Sequence, residues 1–159
     1  GAPFVNRGVS GQLLWQEYLR LEDDALSLRP AALVPEVCAT NFDQHAPSLA
    51  ETQRWYTLLI ERARERGVRP VIATVIPVTR GYAQEDGRAE MRAHIAAMNA
   101  RLREYARAHG DPLADWAVAL GDREGNLREE FTTDGLHPNS AGYARMTDVM
   151  RGASGQVGL

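Results

Sequence analysis

The run Val71-Ile72-Ala73-Thr74-Val75-Ile76, halted by Pro77, constrains the fold of this chain more than any other segment. Consecutive apolar and β-branched residues without polar alternation predict a strand buried on both faces. A strand of that kind needs helices above and below it, and the surrounding sequence supplies them. Ser48 opens a stretch reaching about Arg66, with Trp55, Leu58, Leu59 and Arg62 at helical spacing and Gly67 as its stop. Arg88 to His109 forms a longer amphipathic segment that presents Met91, Ile95, Met98, Leu102 and Tyr105 on one face and ends at Gly110. Leu33 to Cys38 reads as a second strand, Leu113 to Val118 as a weaker one, and Phe4 to Asn6 as the tail of another. Helices are expected from about Gly11 to Leu21 and from Asn139 to Met150. This alternation predicts an α/β fold, a parallel sheet covered on both faces, with ligands at the carboxyl ends of the strands.

The chemistry concentrates near the end of the chain. In Thr133-Asp134-Gly135-Leu136-His137-Pro138-Asn139 a carboxylate and an imidazole lie three positions apart on a predicted loop. A carboxylate that bonds one ring nitrogen fixes the tautomer of a histidine, leaving the other nitrogen to take a proton from a serine hydroxyl. Pro138 biases His137 away from helical backbone, so the imidazole is expected on the loop just before the final helix. An isolated Asp-x-x-His is equally compatible with an ordinary helix start, which makes the upstream segments decisive.

With Asn6-Arg7-Gly8-Val9-Ser10-Gly11-Gln12 and Ala39-Thr40-Asn41, these residues resemble the SGNH, or GDSL-type, esterase and lipase family. The three blocks stand in the order of that family's glycine, asparagine and Asp-x-x-His blocks. The resemblance implies a three-layer α/β/α, flavodoxin-like domain over residues 1–151, followed by a flexible tail over 152–159. It assigns His137 as general base, Asp134 as its orienting carboxylate, and the Gly11 backbone N–H and Asn41 side-chain amide as oxyanion donors. Such donors act on the barrier because negative charge reaches the carbonyl oxygen only in the tetrahedral state. The implied reaction is ester hydrolysis through an acyl-enzyme, on a small-molecule, carbohydrate or lipid ester, with no metal or organic cofactor.

One block is missing from the sequence. No Gly-Asp-Ser occurs, and only five residues precede Asn6, fewer than a strand, loop and helix require. The expectation is a fragment without its nucleophile and first strand, inactive alone, with an exposed sheet edge. A relative that binds an acylated ligand without turning it over is the alternative. Ser10 is a poor substitute nucleophile, because Gln12 breaks the Gly-x-Ser-x-Gly elbow; a loop or substrate-contacting role suits it better. Ala39 replaces the family's usual glycine, and Pro35 removes a ladder donor from its strand. A further alternative, a metal-dependent phosphoesterase, would join Asp43 and His45 to Asp134 and His137.

Composition narrows the remaining classes. With 44% hydrophobic and 25% charged residues over 159 positions the chain reads as one globular domain. A net charge of −3, with all 18 basic residues arginine, provides no basic field for nucleic acid. No membrane span or signal peptide is visible, the single Cys38 excludes an internal disulfide, and the compartment is left open.

Overall fold

The computed structural model describes residues 4–43, 46–85, 88, 90–155 and 158. Among these residues four short strands pair in parallel: β1 (Ala32–Leu33), β2 (Arg69–Pro70), β3 (Ile72–Ala73) and β4 (Leu113–Ala114). Strands β2 and β3 are halves of one extended segment that uses its two edges in turn. Ala32 lies opposite Arg69 on one side, and Ile72 lies opposite Leu113 on the other. Val71 N donates to Leu33 O at 2.8 Å while Ile72 N donates to Pro112 O at 2.9 Å, the left and right alternation of a strand between two neighbours.

Among the described residues six helices surround this ribbon: α1 (Leu14–Asp24), α2 (Leu49–Glu65), α3 (Arg80–Ala83), α4 (Met91–His109), α5 (Trp116–Leu120) and α6 (Ser140–Gly155). On one face Ile72, Val75 and Val37 pack with Leu14 and Leu21 of α1, Leu59 and Ile60 of α2, and Met98 and Leu102 of α4. On the other, Val71, Ala73 and Ala114 meet Trp116 and Leu120 of α5 and Met146 of α6. The architecture is therefore a three-layer α/β/α sandwich. Over Val71 to Ala73 the apolar run alternates its side chains between these two clusters, and beyond Thr74, which bonds to Asp115 and Ala117 at the start of α5, Val75 and Ile76 again face opposite clusters.

Several boundaries move for identifiable reasons. The strand expected over Leu33 to Cys38 ends at Leu33. Ala31 O and Leu33 O accept from Arg69 N and Val71 N, so the next residue turned toward β2 is Pro35, whose nitrogen has no hydrogen to give. The weak strand expected over Leu113 to Val118 stops at Ala114, because Asp115 Oδ1 accepts from Val118 N at 3.2 Å and starts α5. Phe4 to Asn6 forms no strand, and Phe4 and Val5 are 78% and 60% exposed. Helix α6 runs to Gly155 with Ala153 buried, so the tail expected from Gly152 begins inside a helix. Residues 156, 157 and 159 of that tail lie outside the described residues. Helix α2 starts as its sequence requires: Ser48 Oγ accepts from Glu51 N and Glu51 Oε2 accepts from Ser48 N, a reciprocal cap. Among the described residues no helix is long and apolar enough to cross a membrane.

Helix α1 has a cap that sequence does not announce. Its first N–H, from Leu14, donates to Asn41 Oδ1 at 3.1 Å, across 27 positions of chain. One turn further, burial pushes the Glu17 carboxyl up to about 7, with Arg20 opposing and Glu36 adding to the shift. An acid whose folded pKa lies above its unfolded value binds more protons when folded. The contribution of Glu17 to stability should therefore be fully present below about pH 4.5 and be lost as pH rises through about 7. Thermal midpoints between pH 5 and 8 should show this decline, and Glu17→Gln should flatten it; an unchanged slope in that variant would remove Glu17 as the cause.

Candidate active site

The loop from Thr132 to Pro138 links a 3-10 turn at Glu129–Phe131 to α6 and is pinned at its ends by an antiparallel bridge between Thr132 and Pro138. Within it Asp134 uses both oxygens. Oδ1 accepts from the backbone N–H groups of Leu136 at 2.9 Å and His137 at 2.8 Å, and Oδ2 faces His137 Nδ1 at 2.7 Å. The bond from the His137 ring, followed by the backbone bonds, holds the Asp134 carboxyl well below the usual carboxylate range. A carboxylate can only accept, so Nδ1 carries the proton and Nε2 of the neutral ring is the acceptor. The His137 side chain is 73% exposed. Nε2 is therefore open to a reacting group.

Buried Thr132 organises the loop from beneath. Its hydroxyl donates to His137 O at 2.8 Å and accepts from Gly135 N at 3.0 Å, so the residues on either side of the pair share one anchor. Asn139 continues the bracing, with its side chain donating to Glu130 O and accepting from Gly142 N in the first turn of α6. Gly135 has φ +83°, and a β-carbon there would sit 2.6 Å from Thr79 Oγ1 and 3.0 Å from Tyr82 Cβ. Thr79 N also donates to Gly135 O at 2.9 Å. Gly135→Ala should cost about 1–3 kcal/mol from the left-handed backbone alone, before the clash is relieved. Urea unfolding should show it as a lower midpoint; a variant as stable as the parent would mean that α3 yields readily.

The other assigned residues lie on a neighbouring pair of turns. Asn41 is buried in the 3-10 turn Ala39–Phe42, its Oδ1 on Leu14 N and its Nδ2 donating to Cys38 O at 3.3 Å. Gly11 is exposed at φ +74°. The next residue joins it to the asparagine turn, since Cys38 Sγ lies 3.8 Å from Gln12 O. Ser10 is exposed and makes no hydrogen bond through its side chain among the described residues. The Asp134 loop packs on Tyr82 at Gly135; the Tyr82 phenol is shifted up by burial, against Arg88, with the carboxylates of Asp43, Glu85 and Asp134 adding to the shift.

Sequence reading finds Asp134 and His137 because their contact is local. It misses Thr132, although that hydroxyl bonds within the same loop, and it misses Thr79 and Tyr82, whose roles depend on tertiary approach. His45, needed for the metal reading, lies outside the described residues, and among those described no three His, Cys, Asp or Glu side chains converge as a metal site.

The fold is similar to a protein from Bacteroides fragilis assigned as an acylhydrolase, at 24% identity and a TM-score of 0.82, over 95% of this chain and 74% of that one. A GDSL-like lipase from Bacteroides thetaiotaomicron aligns at 26% identity with a TM-score of 0.81, over 92% of this chain and 73% of the other. An acetylxylan esterase from Geobacillus stearothermophilus shares the fold at 17% identity and a TM-score of 0.76, over 94% of this chain and 70% of that one. Among curated protein sequences none matches. The model of the GDSL-like lipase/acylhydrolase family matches residues 1–145, and the chain belongs to that family.

Proposed function

We propose that this chain carries the acid–base pair and oxyanion donors of an SGNH-type serine ester hydrolase whose attacking serine comes from a segment outside residues 1–159. The Asp134–His137 bond carries this reading: Nδ1 is engaged, Nε2 is exposed, and no hydroxyl among the described residues bonds to it. A serine hydroxyl would give its proton to Nε2 as its oxygen attacks the ester carbonyl carbon. The carbonyl oxygen, now negative, would accept from Gly11 N–H and from Asn41 Nδ2. An amide nitrogen has two hydrogens; beside the bond to Cys38 O, Nδ2 makes only a long 3.9 Å contact to Cys38 Sγ, a weak partner that an oxyanion would displace. Collapse expels the alcohol, protonated by His137, and water then repeats the sequence on the acyl-enzyme.

Family membership and the acetylxylan esterase among the structural neighbours support an acetyl or other short acyl ester, carried by a carbohydrate or small molecule. The absence of a long apolar lid segment in the sequence favours the short acyl group.

Residues 1–159 alone should hydrolyse p-nitrophenyl acetate at close to the background rate and without an acyl-enzyme burst, and Ser10→Ala should change nothing. Normal turnover that disappears in Ser10→Ala would transfer the nucleophile to Ser10. The complementary experiment reads the coding sequence upstream of Gly1 and produces the longer protein. Turnover blocked by a serine-directed phosphonate and insensitive to a chelator supports the proposal. A longer protein that binds an acylated ligand without cleaving it supports the noncatalytic alternative.

A further inference from the structure

Against the loop that carries Asp134 and His137 lies the side chain of Tyr82. It lies in α3, whose start is capped by Thr79 Oγ1 accepting from Tyr82 N at 3.3 Å. One side of Tyr82 packs on the reactive loop: a β-carbon at Gly135 would meet Tyr82 Cβ at 3.0 Å and Cδ2 at 3.6 Å. The Arg88 guanidinium covers the ring with its carbon 3.8 Å from the centroid, and Arg88 is itself paired with Glu85. A cation over an aromatic face is attractive, and more so where water is partly excluded; the Arg88 side chain is 24% exposed. Tyr82 and Leu136 also pack against the same buried cluster.

We propose that Tyr82 is a positioning residue for the Asp134–His137 pair, its ring fixing the Gly135 backbone while Arg88 clamps the ring from outside. The proposal takes its importance from the reading of that pair as an acid–base couple. Its mechanism is steric. Gly135 is the most permissive residue of the loop, and it sits between the carboxylate and the imidazole. With the ring in place its backbone has little room to move. Without the ring, Thr79 Oγ1, the β-carbon of residue 82 and the bond from Thr79 N to Gly135 O remain against Gly135, but the wall at Cδ2 is gone and Asp134 Oδ2 is held less firmly against Nδ1.

The test needs no turnover and uses residues 1–159. The proton on His137 Nδ1, bonded to a carboxylate, is followed by NMR through its exchange with solvent. Tyr82→Phe should leave its protection unchanged, because the ring remains. Tyr82→Ala should speed its exchange on the order of 10-fold while amides in α2 and α6 keep theirs, since local opening is separable from global unfolding. A purely structural role would lower all protection together. Should Tyr82→Ala fail to fold, Tyr82→Leu retains apolar bulk without the flat ring, and Arg88→Ala tests the clamp, with exchange expected to rise severalfold. Unchanged protection in a folded Tyr82→Ala or Tyr82→Leu variant overturns the proposal. Where neither folds, unchanged protection in Arg88→Ala overturns it. No protected proton in the unsubstituted chain would remove the Asp134–His137 pairing and the proposal with it.

Discussion

Asp134→Asn is expected to lower kcat by about 10⁴-fold in the protein that includes its attacking serine, the loss this substitution causes in a Ser-His-Asp triad. The structure shows why so small a change should matter. Oδ1 accepts two backbone N–H groups, from Leu136 and His137, and the asparagine oxygen can retain both. The amide nitrogen then takes the place of Oδ2, opposite His137 Nδ1. Two donors cannot share that bond. The ring must place its proton on Nε2, leaving no acceptor for the serine proton and no negative charge beside an imidazolium. Because the loop keeps its backbone bonds, the thermal midpoint and KM should change little while kcat falls. A kcat within about 10-fold of the parent, too small a change for the loss of a correctly oriented base, would show that Asp134 holds the loop without orienting the base.

The same loop shows what can be read from sequence and what cannot. Asp134 and His137 are legible because the loop that joins them is closed by its own residues: Thr132 accepts from Gly135 N, and Asp134 accepts from His137 N. The α2 start at Ser48 and the α4 stop at Gly110 are legible for the same reason, since each cap lies within one turn of what it caps. The layered architecture is legible from the apolar run at Val71 to Ile76, which no single-sided strand would carry. Boundaries set by distant partners are not. Helix α1 begins three residues later than Gly11 because Leu14 N is capped by Asn41. The first strand shortens because Pro35 meets its neighbour on its proton-less side, a matter of register that the residues of one strand alone cannot fix. Trp116 and Val118 have strand-like side chains, yet Ala117 N donates to Thr74 Oγ1 across 43 positions and Trp116 Nε1 finds Met146 O in α6. Tertiary hydrogen bonds outweigh local propensity at these sites.

Asn41 connects the cap of α1 to the proposed chemistry, and Asn41→Ala should therefore have two separable effects. Removing Oδ1 leaves the buried Leu14 N–H without its acceptor, a cost of about 1–3 kcal/mol. For a domain of this size that corresponds to a fall of roughly 2–4 °C in the thermal midpoint per kcal/mol. This effect belongs to the fold and should appear in residues 1–159 alone. Removing Nδ2 takes away the proposed oxyanion donor, and in a longer protein that supplies the proposed serine kcat should drop by about 10²–10³-fold with KM nearly constant, because the bond strengthens only as charge develops on the oxygen. Asn41→Asp separates the two, since a carboxylate keeps an acceptor for Leu14 N but offers no donor to an oxyanion. It should recover part of the stability and none of the rate. An Asn41→Asp protein that regained its kcat would assign the oxyanion to Gly11 and other backbone amides, leaving Asn41 as the residue that ties the first helix to the end of the sheet.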